Sequence, residues 1–306
     1  MTFNVRVKEE ITKLPINTIE KRMELSSFLR YNSKQEKNHI TITLENASIA
    51  RRIYKNVKEI FGINIKITVR YQKRFRVKQI YILEFFDKVD YILESLNIIS
   101  NGKKKDPSEF EMEAREEKIA YFKGAFLAVG SVSDPAISGY HMEMIFSLKK
   151  DALFIIKLLD ELGFKAKYIK RSNKYMVYIK SAEVISDIIR LFKATNSLFY
   201  YEDIRIYRDH KNMVNRLNNC DIANQEKTIN TAMKQLKDIE YIYENDLINL
   251  FDDKTQKVIE YRKKNPDMSY QDLADVITDN ESFSISKSGV NHAFIRVRKL
   301  LDNVKK

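Results

Sequence analysis

The sequence has few of the residues that form covalent cross-links, metal sites and phosphate-binding loops. Its 306 residues include one cysteine, Cys220, together with four histidines, seven glycines, four prolines and no tryptophan. A single cysteine excludes an intrachain disulfide, which suits a cytoplasmic protein. The histidines at 39, 141, 210 and 292 lack the spacing of metal ligands, and no glycine-rich phosphate loop occurs. We therefore predict no metal and no cofactor.

Long apolar segments are also missing. No run approaches the roughly 18 residues that a membrane-spanning helix needs. The first 14 residues carry Glu9 and Glu10 and lack the apolar centre of a signal peptide. We expect no membrane partner. In contrast, Lys and Arg number 54 against 42 Asp and Glu, a net charge of +12. This excess favours a polyanionic partner, with nucleic acid first.

The stretch at 121–135 is rich in small residues. Gly124 and Ala128 share one helical face, with Ala125 on an adjoining face. A face of small residues allows a second helix to approach closely. Gly130 is predicted to end this helix with a positive φ angle, which glycine adopts without a Cβ clash. A simpler interpretation, a buried helix with a glycine cap, remains open at this point.

An internal repeat favours the close helix pair. Residues 22–33 align without gaps with 120–131, so that Ser26 falls on Gly124 and Asn32 on Gly130. Apolar periodicity then predicts the same order of elements, αβαββα, in two repeats at about 16–98 and 111–195. The second repeat includes a hairpin with its turn at Ser172-Asn173. The segment 99–110 reads as a linker. We predict an α+β fold, a pseudo-twofold domain over 1–204.

The remaining residues differ in pattern. Residues 196–218 are predicted to be a connection with strand-like alternation at 203–208, and we take 205–218 as the linker between domains. From 219 to 306 the periodicity is helical: a long helix at 223–243, then helices at 247–264, 269–277 and 286–304. Asn265-Pro266 separates two of them. Short helices after a long one are typical of a helix-turn-helix domain.

The last two helices carry candidate DNA contacts. Ser269 is suited to N-cap the first, with Asp272 completing a capping box. The second begins with small and polar residues and continues with cations, as expected of a recognition helix that enters the major groove and reaches phosphates. A surface helix with a basic end would show the same pattern. The predicted DNA-binding residues are Ser269, Lys287, Ser288, Asn291, His292, Arg296, Arg298 and Lys299.

The predicted strands of the repeats are also basic. By strand parity Lys66 and Arg70 share a face, as do Lys165, Lys167 and Arg171. Such cations either contact phosphates or form a solvated, edge-protecting surface, and the sequence leaves both interpretations open. The predicted DNA-binding set on the strands is Lys66, Arg70, Arg74, Arg76, Lys165, Lys167 and Arg171.

Several specific motifs occur in order along the whole chain. They are Thr2-Phe3 with residues 7–10, residues 121–135 with 139–143, residues 219–224, Asn265-Pro266 with Ser269, and residues 286–292. Together they resemble the WhiA family of bacterial regulators, which are linked to sporulation, transcription and cell division. The resemblance implies a LAGLIDADG homing-endonuclease-like domain followed by a helix-turn-helix domain of the sigma-factor kind. It also implies double-stranded DNA as partner, a role in chromosome organisation, and a cytoplasmic, nucleoid-associated protein.

The resemblance also bears on catalysis. Homing endonucleases of this fold place an acid just before the last glycine of their motif, where it binds the metal that activates water. The corresponding positions here are Tyr31 and Val129, and neither side chain ligates magnesium. We therefore predict a non-catalytic DNA-binding regulator. Two alternatives remain: a metal-dependent endonuclease that uses another acid, such as Asp134 or Glu143, and an adaptor that binds proteins of the transcription or division machinery.

Overall fold

A computed structural model describes residues 1–36, 39–72, 78–107 and 112–304. The chain forms two compact units, residues 1–208 and 209–306. The first unit opens with helix α1 (Phe3–Lys13), which buries Phe3, Val7 and Ile11. These apolar residues recur at helical spacing, so one face of α1 packs into the core of the unit.

Two sets of elements with the same order follow α1. The first comprises α2 (Thr18–Asn32), β1 (Ser33–Glu36), β2 (His39–Leu44), α3 (Ala47–Phe61), β3 (Lys66–Gln72), β4 (Lys78–Phe85) and α4 (Val89–Ser95). A short hairpin, β5 (Ile99–Ser100) and β6 (Lys103–Lys104), comes between the sets. The second comprises α5 (Arg115–Val129), β7 (Gly130–Val132), β8 (Met142–Phe146), α6 (Lys149–Glu161), β9 (Lys167–Arg171), β10 (Lys174–Ile179) and α7 (Ala182–Leu191).

Each set builds one antiparallel sheet of four strands. The strand orders are β1-β2-β4-β3 and β7-β8-β10-β9, which correspond strand for strand. The predicted α+β fold with a pseudo-twofold repeat is therefore confirmed. The strands β1 and β7 were not predicted, so each repeat is αββαββα rather than αβαββα. Both strands are short and begin directly where a helix ends, so they offer no alternation to detect.

The turn between β9 and β10 has the backbone conformation of a two-residue hairpin. The predicted hairpin is present, because β9 pairs with β10 from Lys174↔Arg171 to Tyr178↔Lys167. Ser172 and Asn173 between the strands both have positive φ angles, 47° and 59°. Two successive residues of positive φ form the turn that matches the twist of antiparallel strands.

Helices α2 and α5 form the predicted close pair. A Cβ atom on Gly124 would overlap the Ser27 hydroxyl of α2, so only glycine permits this approach.

The prediction for Gly130 is wrong in one respect, since its φ angle is −83° and it continues into β7. Glycine is needed there because a Cβ atom would lie 2.6 Å from the Phe126 carbonyl oxygen and would overlap the Phe126 ring.

The predicted connection at 196–218 is helical. Helix α8 (Thr195–Glu244) runs through it without a break, so the strand-like segment 203–208 and the predicted linker 205–218 both lie inside a helix. Residues of α1 contact the N-terminal turns of α8. Glu10 accepts hydrogen bonds at 2.9 Å from the backbone amides of Asn196 and Ser197, and the Phe3 ring lies 6.0 Å from that of Tyr201.

The second unit is entirely helical in its described residues. After α8 come a 3₁₀ turn (Leu247–Leu250), α9 (Asp253–Lys264), α10 (Tyr270–Asn280) and α11 (Lys287–Val304). The helix predicted at 247–264 is thus interrupted at Phe251, whose backbone is extended. A separate apolar core joins α8, α9, α10 and α11 through residues such as Ile242, Ile259, Leu273 and Val297.

The helices of the described part of the chain are too short or too polar to cross a bilayer. None of them combines the length and the apolar character that a membrane span requires.

Candidate nucleic-acid interface

A buried arginine holds the turn between α9 and α10. Arg262 has only 1% of its surface exposed. Its Nη1 donates to the Met268 carbonyl at 2.6 Å and to the carbonyls of Asn265 and Pro266 at 3.4 and 3.3 Å. A guanidinium that satisfies three carbonyls fixes the direction in which the chain leaves α9.

Ser269 begins α10 as the sequence predicts. Its hydroxyl accepts the Asp272 amide at 3.2 Å, and the Asp272 carboxylate accepts the Ser269 amide at 3.2 Å. This reciprocal pair is a capping box. The Ser269 hydroxyl therefore serves to start the helix, and its predicted contact with DNA stays a prediction.

A threonine near the end of α10 is hydrogen-bonded to the last residues of the loop that precedes α11. The Thr278 hydroxyl accepts the Ile285 amide at 3.1 Å, and Ser286 Oγ accepts the Gly289 amide at 3.2 Å. A Cβ atom on Gly289 would lie 2.7 Å from the Ile285 side chain. Glycine thus lets the first turn of α11 pack against the loop, which fixes where the helix begins relative to α10.

Helix α11 has one buried and one exposed face. The buried residues are Val290, Ala293, Phe294, Val297 and Leu301. The predicted DNA-binding residues of this helix are all exposed: Lys287, Ser288, Asn291, His292, Arg296, Arg298 and Lys299. The core contacts therefore hold the polar face of α11 outwards.

One exposed apolar residue lies among these polar positions. Ile295 follows Asn291 by four residues and precedes Lys299 by four, so the three share a face, and 42% of its surface is exposed. Ile295 is absent from the set predicted from the sequence, because an isoleucine in an amphipathic helix is usually a core residue. Its spacing from Asn291 is the signal that could have identified it.

Arg296 has a partner within the protein. Its guanidinium lies 3.4 Å from the Asp252 carboxylate just before α9. Both side chains are about half exposed, so the attraction is weak and the arginine remains within reach of a phosphate.

Helix α8 forms the opposite wall of a groove beside this face. The groove has a volume of about 300 Å³. It is lined from α8 by Thr231, Lys234, Gln235 and Asp238, from α10 by Tyr270, and from α11 by Asn291, Phe294, Ile295, Arg298, Lys299 and Asp302. The four α8 residues lie at helical spacing on one side. Lys234 thus joins the predicted cations, although nothing in the local sequence pairs α8 with α11.

The strand cations lie on the faces of the sheets that the helices leave uncovered. In the first sheet, Lys66 and Arg70 alternate with Ile67 and Val69, and Ile67 lies beside the buried Leu83. Lys66 pairs with Glu84 across the sheet at 3.7 Å. This ion pair partly offsets the positive charge of Lys66. Arg74 and Arg76 lie outside the described residues.

In the second sheet Lys167 and Arg171 share a face, as predicted from strand parity. Lys165 is exposed but precedes β9, which begins at Lys167. The same face carries Glu143, whose carboxylate lies 3.0 Å from the His141 imidazole. The uncovered face is therefore mixed in charge.

An aromatic contact occupies the first of the two nuclease positions. The Tyr31 hydroxyl lies 3.0 Å from that of Tyr121, and its ring meets the Phe146 ring edge-on. Burial and the neighbouring Tyr121 raise the pKa of the Tyr31 phenol well above its usual value. The phenol thus stays neutral at physiological pH. Val129, the second position, is the last residue of α5.

A buried carboxylate near this cluster is already paired. Arg30 Nε lies 3.3 Å from Asp151, with both side chains buried, and the guanidinium also donates to the Lys105 carbonyl at 2.6 Å. Among residues 1–36, 39–72, 78–107 and 112–304, no three His, Cys, Asp or Glu side chains are grouped so as to hold a metal ion.

Comparison with known domain families gives matches along most of the chain. Residues 18–99 match the WhiA N-terminal LAGLIDADG-like domain, and residues 118–211 match the WhiA LAGLIDADG-like domain. Residues 214–301 match the WhiA C-terminal HTH domain. Each four-stranded sheet thus falls within one matched domain, and the third domain contains α9, α10 and most of α11.

Complete proteins resemble the chain over its full length. The probable cell division protein WhiA of Exiguobacterium sibiricum is 34% identical over 100% of this chain and 97% of its own. The probable cell division protein WhiA of Staphylococcus haemolyticus is 34% identical over 100% of this chain and 98% of its own. The crystal structure of full-length DUF199/WhiA from Thermatoga maritima superposes with a TM-score of 0.57 at 22% identity, covering 99% of each chain. This last likeness shows the fold.

Proposed function

The chain belongs to the WhiA family, and we propose that it is a non-catalytic DNA-binding protein whose α11 selects the sequence. The observation that carries this proposal is the orientation of α11. Its apolar residues are buried against α8, α9 and α10, while Lys287, Ser288, Asn291 and His292 in its first two turns are exposed. A helix held in this way presents its first turns to base edges.

The roles along α11 follow from side-chain chemistry. Asn291 is suited to a bidentate contact with adenine, and the exposed Ile295 on the same face to an apolar contact with a thymine methyl group. Lys287, Arg298 and Lys299 are suited to phosphates, which position the helix without reading sequence. Ser269, Ser288, His292 and Arg296 complete the proposed set.

For the uncovered faces of the sheets we propose phosphate contacts. Lys167 and Arg171 are exposed without a carboxylate partner among the described residues, whereas Lys66 is paired with Glu84. The described part of the second sheet therefore offers more free positive charge. Lys165, just before β9, extends this patch. Arg70 is the corresponding candidate on the first sheet.

The absence of nuclease activity is part of the proposal. The first metal-ligand position is occupied by Tyr31, a neutral phenol that is hydrogen-bonded to the Tyr121 hydroxyl. The second is occupied by Val129, which has an aliphatic side chain. Neither side chain provides the carboxylate that a divalent metal requires. Asp151, a buried acid close enough to influence Tyr31, is neutralised by Arg30.

The biological setting comes from the family. The two relatives are named as probable cell division proteins. We propose that this chain likewise acts in cell division, that it does so by regulating transcription or organising the chromosome, and that it is associated with the nucleoid in the cytoplasm. Residues 1–204 and 219–306 are the proposed functional domains.

One surface favours a second function, that of an adaptor for a division or transcription protein. On the uncovered face of the second sheet, Ile145, Met176 and Ile169 lie side by side across β8, β10 and β9. Ile145 and Ile169 are both exposed. An apolar strip in the middle of an exposed sheet is a feature of protein-binding surfaces.

The proposed function is tested by selecting bound sequences from random duplex DNA. The full chain and its Asn291→Ala variant are used in parallel, at two salt concentrations. We expect the wild-type protein to enrich one motif and the variant to lose enrichment at one or two positions. Recovery of no enriched motif by the wild-type protein, together with salt-independent weak binding, would favour the adaptor function instead.

A further inference from the structure

The middle of helix α8 carries an exposed apolar stripe. Residues 209–226 are all exposed, so no other element of the described chain covers this part of α8. Large apolar side chains are nevertheless present there. Ile206, Met213 and Leu217 are 64%, 61% and 55% exposed. Together with the exposed His210 they recur at intervals of four, three and four residues, which is the spacing of a seam that packs against a second helix.

The stripe faces away from the side on which α8 packs into the core of the first unit. Ser197 and Tyr201 are buried in the first turns of α8. Because each helical residue advances by about 100°, they point about 140–180° away from the line of the stripe. Phe199 lies on the line of the stripe, and 65% of its surface is exposed. The packing of the first unit therefore leaves the stripe open over its whole length.

A second copy of α8 that runs in the opposite direction is complementary to this stripe. With a twofold axis between residues 211 and 212, Ile206 of one copy lies opposite Leu217 of the other, and His210 lies opposite Met213. In an antiparallel helix pair these positions alternate along a single seam. The stripe is thus able to cover itself, as an interface between identical chains requires.

The residues that flank the seam match in the same register. On one flank Tyr207 lies opposite Val214 of the second copy, and both side chains are exposed. On the other flank Asp209 lies opposite Arg216, and the twofold axis produces this ion pair twice. Neither charged side chain has an ion-pair partner among the described residues, and both line a depression on α8 that Met213 also lines.

Other arrangements of the two helices lack this complementarity. A shift of one heptad in either direction places Arg216 opposite Arg216, or Asp209 opposite Asp209, and such like-charge contacts are unfavourable. A parallel pair would place Asp209 beside the apolar Val214 of the second copy. The charges therefore favour one direction and one register.

We infer that α8 is the interface of a homodimer, in which two copies pair antiparallel through residues 199–224. The contact is a single helix pair, so its area is small and the association is reversible and dependent on protein concentration. Each dimer carries two copies of α11, which raises its affinity for DNA with two binding sites when both helices engage. The interface itself forms without DNA.

The first test measures self-association of the full chain by sedimentation equilibrium over a range of protein concentrations, without DNA. We expect a reversible equilibrium between monomer and dimer. Asp209→Arg should raise the dissociation constant at least roughly fivefold, because both ion pairs become contacts between like charges. Arg216→Asp should act in the same way. The double exchange should return the constant to within about twofold of the wild-type value, since it restores both ion pairs.

The matched control is Lys211→Asp. This variant changes the net charge by the same amount as Arg216→Asp, and Lys211 is an exposed residue of α8 that lies about 140° from the seam. We expect the control to leave the dissociation constant unchanged. A chain that stays monomeric at every soluble concentration overturns the interface. Equal dissociation constants for Asp209→Arg and Lys211→Asp overturn it as well.

The second test determines the direction of the helices by disulfide formation. Cys220, the only cysteine, is first replaced by serine. Ile206→Cys and Leu217→Cys are then made separately in this background and oxidised alone and as a mixture. Antiparallel pairing places position 206 opposite position 217, while the two copies of position 206 lie about 16 Å apart along the helices, beyond the reach of a disulfide.

We expect disulfide-linked dimers only in the mixture of the two variants. Dimers of each variant alone would indicate parallel helices and overturn the inferred register. Neither test involves DNA, so a negative result in both leaves the proposed DNA-binding function intact. Conversely, failure of the protein to bind DNA leaves both tests of the dimer decisive.

Discussion

Gly124 of α5 lies directly against the backbone of Glu24 in α2. A Cβ atom at position 124 would lie 2.9 Å from the Glu24 carbonyl carbon and would overlap its carbonyl oxygen. Glu24 cannot give way, because its carboxylate is buried and accepts a hydrogen bond at 2.9 Å from Arg52. The contact between the two repeats therefore depends on the absence of a side chain at one residue.

This contact makes Gly124 sensitive to substitution. We expect Gly124→Leu to lower the free energy of unfolding by about 1–3 kcal/mol or more, since helix backbones must separate to admit the side chain. Gly124→Ala should already be destabilising. Urea unfolding measures the effect. Gly139→Ala is the control, because a Cβ there meets nothing within 4 Å, and it should change stability by less than about 0.5 kcal/mol. Equal stability of the Gly124 and Gly139 variants would contradict the close helix pair.

Asn291 is expected to read a base. Asn291→Ala should cost about 1–3 kcal/mol of binding free energy at the preferred site and little on random DNA. Lys299→Ala, on the same face, is the comparison: removing a lysine that binds phosphate should weaken binding to both DNAs alike. Competition binding with specific and random duplexes measures the two effects. An equal reduction of affinity on both duplexes for Asn291→Ala would show that this residue does not read sequence.

The protein is expected not to cut DNA. Tyr31 and Val129 provide no carboxylate, and the Glu143 carboxylate, an alternative ligand, is engaged by His141. Supercoiled and linear DNA are incubated with stoichiometric protein in magnesium or manganese, and the products are separated on a gel. Cleavage that a chelator abolishes, and that Glu143→Gln or Asp134→Asn removes, would establish the endonuclease alternative.

The basic patch of the second sheet is expected to contact phosphates. The double change Lys165→Ala, Lys167→Ala should weaken binding to specific and random DNA alike, and should reduce the salt slope by roughly one unit for each phosphate that the variant no longer binds. The matched control is Lys149→Ala, Lys157→Ala on α6, the helix that packs against this sheet. Should both double variants keep the wild-type slope, the uncovered face is only solvated, and the adaptor function gains support.

Lys8 is expected to make stability depend on pH. Its Nζ donates to the Leu127 carbonyl near the end of α5 at 3.2 Å, and burial lowers the pKa of Lys8 to about 8. Above that pH the folded protein releases a proton that the unfolded chain retains, so stability attributable to Lys8 rises with pH. Between about pH 8 and pH 9.5 we expect wild-type protein to gain about 1–2 kcal/mol relative to Lys8→Met.

The measurement is urea unfolding of both proteins across this range. The difference between them isolates Lys8 from other groups that titrate, such as tyrosines above about pH 10. A difference that stays constant across the same pH range would show that Lys8 has an ordinary pKa in the folded protein.

Local patterns in the sequence determined most of the elements and their order, with β1, β7 and the first part of α8 as the exceptions. Gly124 and Ser26, aligned by the repeat, indicated the helix pair, and Ser172-Asn173 indicated the hairpin turn. Ser269 with Asp272 indicated the start of α10. These features are decided by neighbours within a few residues, through backbone conformation, capping and apolar periodicity. The exposure of Asn291 and the basic residues beside it followed from the same periodicity.

Other features of the fold depend on contacts between residues distant in sequence, and only the tertiary structure decided them. The segment 203–208 alternates like a strand but is helical, because Glu10 caps α8 and Phe3 packs against its first turns. The pairing of Tyr31 with Tyr121 and of Arg30 with Asp151 joins the two repeats. Lys227 and Lys234 of α8 lie beside α11 only after the core of the second unit forms. A sequence pattern specifies which side of an element is apolar, but the element that covers that side is selected by packing across the whole unit.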